Sequence, residues 1–396
     1  MGIQEMQINF DNPWATYNVG DTVTGELLLT LDSPKKVREI TLRFKGEAQV
    51  RWTELETERD SEGKEVRRDV EYSASESYFE NKFVLLGGGS ESEIEIPSGA
   101  HVYKFSSILP NTLPSSFESE FGFVRYTVKA TLNRPWKFDQ DCKAAFTVIS
   151  PFDLNQTDEA KKPISLEQEK YVGICCCRSG PLKASLDVPV SGFVSGQTIP
   201  VEIEVENLTD KNVNHGKCIL RKVVTYKASM PSQLTKTVKI NITDITLSVL
   251  GAHSSNKWTE KLVVPALPPS NLNNCKIIDV NYDLKLELKV PGIFNRTLSI
   301  KTPILFGTVP LMNYQQPTQP AQTAEAKENP ADFGWNPDGP KNSLYPDLPP
   351  PTYVESMFGK TANIRDPEDS EHTQIMAGWT PRYPTYNFAP SAPVLA

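Results

Sequence analysis

Pro350-Pro351-Thr352-Tyr353 carries the clearest chemistry in the chain. Polyproline II has three residues per turn, so Pro350 and Tyr353 point to one face, and φ fixed at both prolines lowers the entropy lost on binding. A proline face with an aromatic hook three residues on fits the aromatic groove and separate tyrosine pocket of a WW domain.

Two shorter strings share this region. Leu344-Tyr345-Pro346-Asp347-Leu348 is similar to the LYPxL motif read by the V-domain adaptor of the ESCRT pathway, and Pro390-Ser391-Ala392-Pro393 to the P-S/T-A-P motif read by ESCRT-I. Tyr345 to Leu348 also fits the loose Tyr-x-x-hydrophobic sorting signal. It lies so close to Pro350 that two readers would compete.

Other candidate chemistry fails on spacing. The six cysteines include no Cys-x-x-Cys pair, and three adjacent thiols at Cys175-Cys176-Cys177 would alternate faces in a strand, so they cannot converge on one tetrahedral ion. A structural strand is the expectation there. His101, His215, His253 and His372 show no HxxxH spacing, and the acids Asp139 and Asp141, or Asp366, Glu368 and Asp369, read as solvated polar surface. Gly87-Gly88-Gly89 is followed by alternating serine and glutamate, which would repel phosphate, so a turn between strands is expected. No cofactor, no metal and no enzyme activity are expected. Basic residues at strand positions, Arg43, Lys45, Arg125 and Lys129 with Arg221, Lys222 and Lys227, offer an anion-binding or cargo face. Ordinary solvated strand residues are the default expectation.

Strands must position these groups. Ile40, Leu42 and Phe44 alternate with Thr41, Arg43 and Lys45; Val124 to Leu132, Val201 to Val205 and Leu284 to Val290 alternate likewise. Period two with β-branched and aromatic residues on one face means half-buried strands of sheets packed face to face. A short helical turn fits only within Thr157 to Lys170. Of the 32 prolines, 15 fall between Gly307 and Ala396, where 10 acidic residues face 5 basic ones and no apolar period exists. That composition predicts a disordered Pro-rich tail over 307–396. No apolar run approaches the ~18 residues of a membrane span, and Met1 to Met6 resembles no signal peptide, so a cytoplasmic location is expected.

An internal repeat sets the domain count. Tyr17-x-x-Gly20-x-Thr22-Val23 recurs as Phe193-x-x-Gly196-x-Thr198-Ile199 at an offset of 176, while Leu113-Pro114-Ser115 with Val124 to Val128 recurs as Pro268-Pro269-Ser270 with Val280 to Leu284 at 155 or 156. The difference needs an insertion in the first copy. The charged run Glu54 to Glu71 supplies it, as a polar hairpin turning at Glu62-Gly63. The reading is an all-β chain: one sandwich over 1–155, a linker through Lys162, a second sandwich over 163–306, and the tail.

Pro13-Trp14 through Gly25, Gly46-Glu47-Ala48 with Trp52, Leu113 to Glu118, Gly122-x-x-Arg125-Tyr126, Arg134-Pro135-Trp136, Pro151 to Asn155, Trp258 and Pro303-Ile304-x-x-Gly307 together resemble the arrestin domain-containing proteins, the α-arrestins. The resemblance covers about residues 1 to 310. It implies two tandem immunoglobulin-like arrestin β-sandwich domains, and a scaffold that recruits WW-containing HECT-type E3 ubiquitin ligases to membrane receptors or transporters, at the plasma membrane and endosomes. An arrestin-fold coat subunit similar to that of retromer, its tail motifs incidental, is the alternative. The family commonly carries two PPxY motifs. Here the second cluster, Tyr383-Pro384-Thr385-Tyr386, lacks the first proline, and the cysteine that the thioredoxin-binding member carries before the tryptophan matching Trp258 is absent.

Overall fold

The computed structural model describes residues 3–59, 64–88, 93–171, 180–291, 297–312, 314, 363–376 and 378–386. Alternating burial along Thr22–Leu31, Glu39–Arg59, Pro181–Val188 and Thr198–Asn207 matches the period-two pattern. These strands bury one face each because one sheet lies over another.

In the first sandwich a three-stranded sheet, Ile3–Phe10, Thr22–Leu31 and Gly99–Ile108, packs on a larger one ordered Thr16–Asn18, Gln140–Ile149, Gly122–Asn133, Glu39–Arg59 and Glu65–Gly87. Phe44 sits between them, edge-on to Phe105 at 5.7 Å and to Phe146 at 6.4 Å. The second sandwich pairs a four-stranded sheet, Ile164–Tyr171, Pro181–Val188, Thr198–Asn207 and Ser254–Val263, with a five-stranded one, Gly192–Val194, Thr297–Gly307, Ile278–Lys289, His215–Ala228 and Leu234–Leu247. A 3-10 turn, Leu154–Gln156, and a four-residue helix, Asp158–Lys161, connect the two.

The repeat is visible in the bonds its residues make. Thr16–Asn18 pairs in parallel with Gln140–Ile149, and Gly192–Val194 pairs in parallel with Thr297–Gly307. The Tyr126 hydroxyl donates to the Pro114 carbonyl at 2.6 Å, and the Tyr282 hydroxyl donates to that of Pro268 at 2.8 Å. The corner match shifts by one residue from the sequence reading: Ser116, not Ser115, is the counterpart of Ser270, accepting from the Val148 N–H at 2.9 Å as Ser270 does from Phe306 at 2.8 Å. Recurring corner residues therefore satisfy equivalent backbone groups in each lobe, which is why those types return at those spacings.

The inserted run forms the far end of a long hairpin, with Glu54 opposite Val70 and Arg59 opposite Glu65; the Glu62-Gly63 turn lies outside the described residues. Instead of standing free in water, the hairpin reaches the second lobe. Glu54 accepts from Lys236 at 2.7 Å, Ser73 bridges Met230, and Glu76 accepts from the Lys276 N–H at 3.1 Å. Cys175 to Cys177, Gly89, and the Pro350, Leu344 and Pro390 motifs also lie outside the described residues.

Within the Pro-rich tail, the described stretches 363–376 and 378–386 lie against the lobes, a placement not foreseen from composition. Thr373–Ile375 adds a parallel strand to the edge of Gln140–Ile149, pairing with Asp141 to Lys143. Ten residues on, the tail meets the second lobe, where the Tyr386 N–H donates to Ser195 at 3.0 Å. Gly196 has φ +90, and a Cβ there would stand 2.0 Å from the Tyr386 carbonyl oxygen. Gly196→Ala therefore meets both a left-handed backbone and an occupied space, at a cost of roughly 1–2 kcal/mol from the backbone alone. A melting temperature lower by a few degrees, from the backbone cost, and faster protease cleavage within 380–386 at temperatures where the body stays folded are expected; unaltered cleavage would mean that this contact does not hold the tail.

Candidate functional site

Arg43 and Lys45 project from Glu39–Arg59, Lys129 from Gly122–Asn133 and Lys143 from Gln140–Ile149, on the outer face of the larger N-terminal sheet. The register sets Arg43 opposite Lys129, and Lys129 opposite Lys143. Four like charges on neighbouring strands repel one another unless carboxylates intervene.

The tail supplies them. Lys143 contacts both Asp366 and Asp369, the latter at 2.8 Å, and Lys129 lies 3.1 Å from Asp369 and from Asp141. Arg43 reaches Glu368 at 2.7 Å, with Lys45 at 3.4 Å from the same carboxylate. Thr131 and Thr373 donate to the two Asp141 oxygens at 2.7 and 3.0 Å. Backbone bonds add to this, including the Met376 N–H donating to the Lys143 carbonyl at 2.9 Å.

Exposure decides which pairs matter. The Lys143 and Asp369 side chains are 2% and 0% exposed, whereas Glu368 is 52% exposed. Solvent screens the Glu368 pairs, so they contribute little; removing the carboxylate from Lys143 would leave a desolvated ammonium. The expectation of solvated strand residues is corrected here: Arg125, Thr127 and Lys129 are buried. The docked segment lies on Lys129, and Arg125 and Thr127 share its sheet face.

Farther along, Arg382 stacks over Trp14 at 4.9 Å and the Tyr383 hydroxyl donates to the Ser116 carbonyl at 2.9 Å. The Tyr386 hydroxyl donates to the Thr308 carbonyl. One segment thus grips a corner of the first lobe and the end of the last strand of the second. Both tyrosine rings are buried, so Tyr383-Pro384-Thr385-Tyr386 offers no hook to a WW domain in this arrangement.

Of the expected cationic residues, Arg43, Lys45 and Lys129 come together and Arg125 does not join them. Its guanidinium makes a bidentate pair with Glu118 at 2.7 and 2.8 Å and stacks on Phe123 at 3.9 Å. Arg221 is held by Asp283 at 2.6 Å in the second lobe, Lys227 is exposed there, and Lys222 is buried with its amine 5.6 Å from the Phe117 ring. Burial pushes the Lys222 pKa down to about 8. Lys143 was missed, because beside Asp141 it reads as one more solvated charge. The acid triplet Asp366, Glu368 and Asp369 was the available signal.

Titration follows from these contacts. The Arg43 hydrogen bond, with Lys45 nearby, outweighs burial and holds the Glu368 carboxyl below its ordinary value; burial alone would raise Asp369, but Lys143 and Lys129 pull it below. Carboxyls depressed in the docked state bind protons more readily when released. Docking is therefore strongest above the free carboxyl values of 4.5 and 3.8 and weakens as pH falls through the lower docked values. Narrow, coil-like NMR signals from 366–376 should grow in on acidification below about pH 4.5. Constant signals down to pH 3 would contradict this linkage.

Comparison with known proteins follows the same division. Residues 6–155 match the arrestin (or S-antigen) N-terminal domain and residues 178–311 the arrestin (or S-antigen) C-terminal domain. The chain is 29% identical to arrestin domain-containing protein 17 of Caenorhabditis elegans over 440 aligned positions, covering 97% of this chain and 99% of that one. It is 30% identical to mouse arrestin domain-containing protein 4 over 307 positions, covering 77% and 71%, and 31% identical to the human protein of that name over 301, covering 74% and 68%. Two sandwiches with a shared corner chemistry, matched along both lobes, place the chain in the family of arrestin domain-containing proteins.

Proposed function

We propose that this chain is a non-enzymatic adaptor that recruits WW-domain HECT-type E3 ubiquitin ligases to the cytoplasmic parts of membrane receptors or transporters and promotes their ubiquitination, endocytosis and endosomal sorting. Family membership supports a trafficking and adaptor role. The finer reading rests on one observation: Pro350, Pro351 and Tyr353 lie along the chain between Met312 on the body and Asn363 at the start of the docked segment. A ligase held there is tethered to whatever the lobes hold, which raises its effective concentration near cargo lysines.

Cargo engagement falls to the face of Arg43, Lys45, Lys129 and Lys143. Acidic or phosphorylated cytoplasmic segments present the same oxygens as Asp366, Glu368 and Asp369, and would compete with them. The Leu344 to Leu348 and Pro390 to Pro393 strings are proposed as ESCRT-adaptor contacts, and the site of action as the cytoplasm next to the plasma membrane and endosomes. Ubiquitination of a co-expressed membrane cargo by the full chain, against a chain ending after Gly307, tests the whole reading. Loss of ubiquitin on the cargo is expected. An unchanged level would favour a coat subunit with incidental tail motifs.

A further inference from the structure

Between the strands Gly122–Asn133 and Gln140–Ile149 the chain turns through Arg134-Pro135-Trp136-Lys137-Phe138-Asp139. Trp136 is 93% exposed and Phe138 77%. Two large rings so exposed are costly to keep in water. The Arg134 guanidinium donates twice to the Phe138 carbonyl, at 3.1 and 2.6 Å, which ties the base of the turn together. Trp136 itself has φ +58, a backbone region that bulky residues rarely adopt. The turn is therefore held in a shape that projects its rings outward.

The surroundings carry charge of one dominant sign. Arg38, Arg134 and Lys137 line one concavity with Trp136, Phe138 and Asp139. Lys35 and Lys36 line the neighbouring one with Glu93. Among the described residues Arg38, Arg134 and Lys137 take part in no ion pair, whereas Lys36 is paired with Glu93 at 3.3 Å. Exposed aromatic tips beside cations suit a bilayer interface, where indole rings settle at headgroup depth while lysine and arginine meet anionic phosphates. Two exposed rings among unpaired cations ask only for the flat interface and negative charge that an anionic bilayer supplies.

We propose that the Arg134 to Asp139 turn is a membrane-contact tip that seats Trp136 and Phe138 in an anionic lipid surface. The turn is continuous with the basic face: Phe138 packs on His372 of the docked tail with ring centroids 5.2 Å apart, and Phe138, Lys129 and Arg43 line one cleft. Seating the tip would bring that face against the membrane from which a cargo segment emerges. The proposal does not depend on the ligase reading, since no tail motif takes part.

Co-sedimentation of the full chain with phosphatidylcholine vesicles, with and without phosphatidylserine, tests it. Despite the net charge of −8, the chain should sediment with the phosphatidylserine vesicles and be released by salt. Trp136→Ser should weaken partitioning about tenfold, and Arg38→Glu with Lys137→Glu by at least as much. Both changes alter exposed groups, so the melting temperature should hold. Equal binding to both vesicle types, no binding at low salt, or a Trp136→Ser chain that sediments like the parent would each overturn the proposal.

Discussion

Tyr353→Ala should weaken the complex of the full chain with a WW domain by about 30-fold or more, the equivalent of losing one aromatic anchor worth roughly 2 kcal/mol. The proline face can still lie in the aromatic groove, but the second pocket is left empty. Tyr353→Phe separates ring from hydroxyl and should fall between the two. Tyr345→Ala should bind as the parent does, because the LYPxL-like string presents no PPxY. No second hook compensates, since the Tyr386 hydroxyl is committed to the Thr308 carbonyl and both rings of that cluster are buried. Calorimetric titration checks all three variants, and parent-like affinity for Tyr353→Ala would remove the motif from the mechanism.

The second large effect concerns the docked segment. Replacing Asp366, Glu368 and Asp369 with Asn, Gln and Asn keeps the shape and removes three charges, which strands Lys143 in a site where its side chain is 2% exposed. Breaking a buried pair costs about 3–5 kcal/mol when the remaining charge cannot escape. Here escape is possible, because releasing the tail returns Lys143 and Lys129 to water. The triple variant should therefore undock rather than unfold, with the body's melting temperature almost unmoved. Amide protection at Met376, which donates to Lys143, should drop by about 100-fold, in line with a docking loss near 3 kcal/mol. A large fall in melting temperature would instead make the segment part of the folding core.

Much of the body was legible because its signals are local. Alternation along Ile40 to Phe44 and Val124 to Leu132 reports a half-buried strand without reference to anything distant. The corner repeat was visible because Tyr126 and Tyr282 are needed in the same place twice. Composition also marked the Pro-rich region, and the polar faces of the alternating strands held three of the four clustered cations, Arg43, Lys45 and Lys129.

What sequence alone did not yield depends on partners far along the chain. Thr373–Ile375 is a three-residue parallel strand, too short to show a period, and it is fixed by charge pairs spanning more than two hundred residues. Asp366, Glu368 and Asp369 look like solvated acids until Lys143 is known to lie opposite. Arg125 failed in the other direction, since Glu118, seven residues away, captures it before it can join the face. Tyr383 and Tyr386 offered a hint, two aromatics in a polar tail, whose meaning depended on carbonyls at Ser116 and Thr308.

Hydrogen exchange on the intact chain reaches the central claim most directly, that its own acidic segment occupies the basic face. At neutral pH the amides of Met376 and Tyr386, bonded to Lys143 and Ser195, should exchange far more slowly than free chain, and an excess of a multiply phosphorylated peptide should abolish that protection. Exchange at the free-chain rate throughout 364–386 in the parent protein would contradict it.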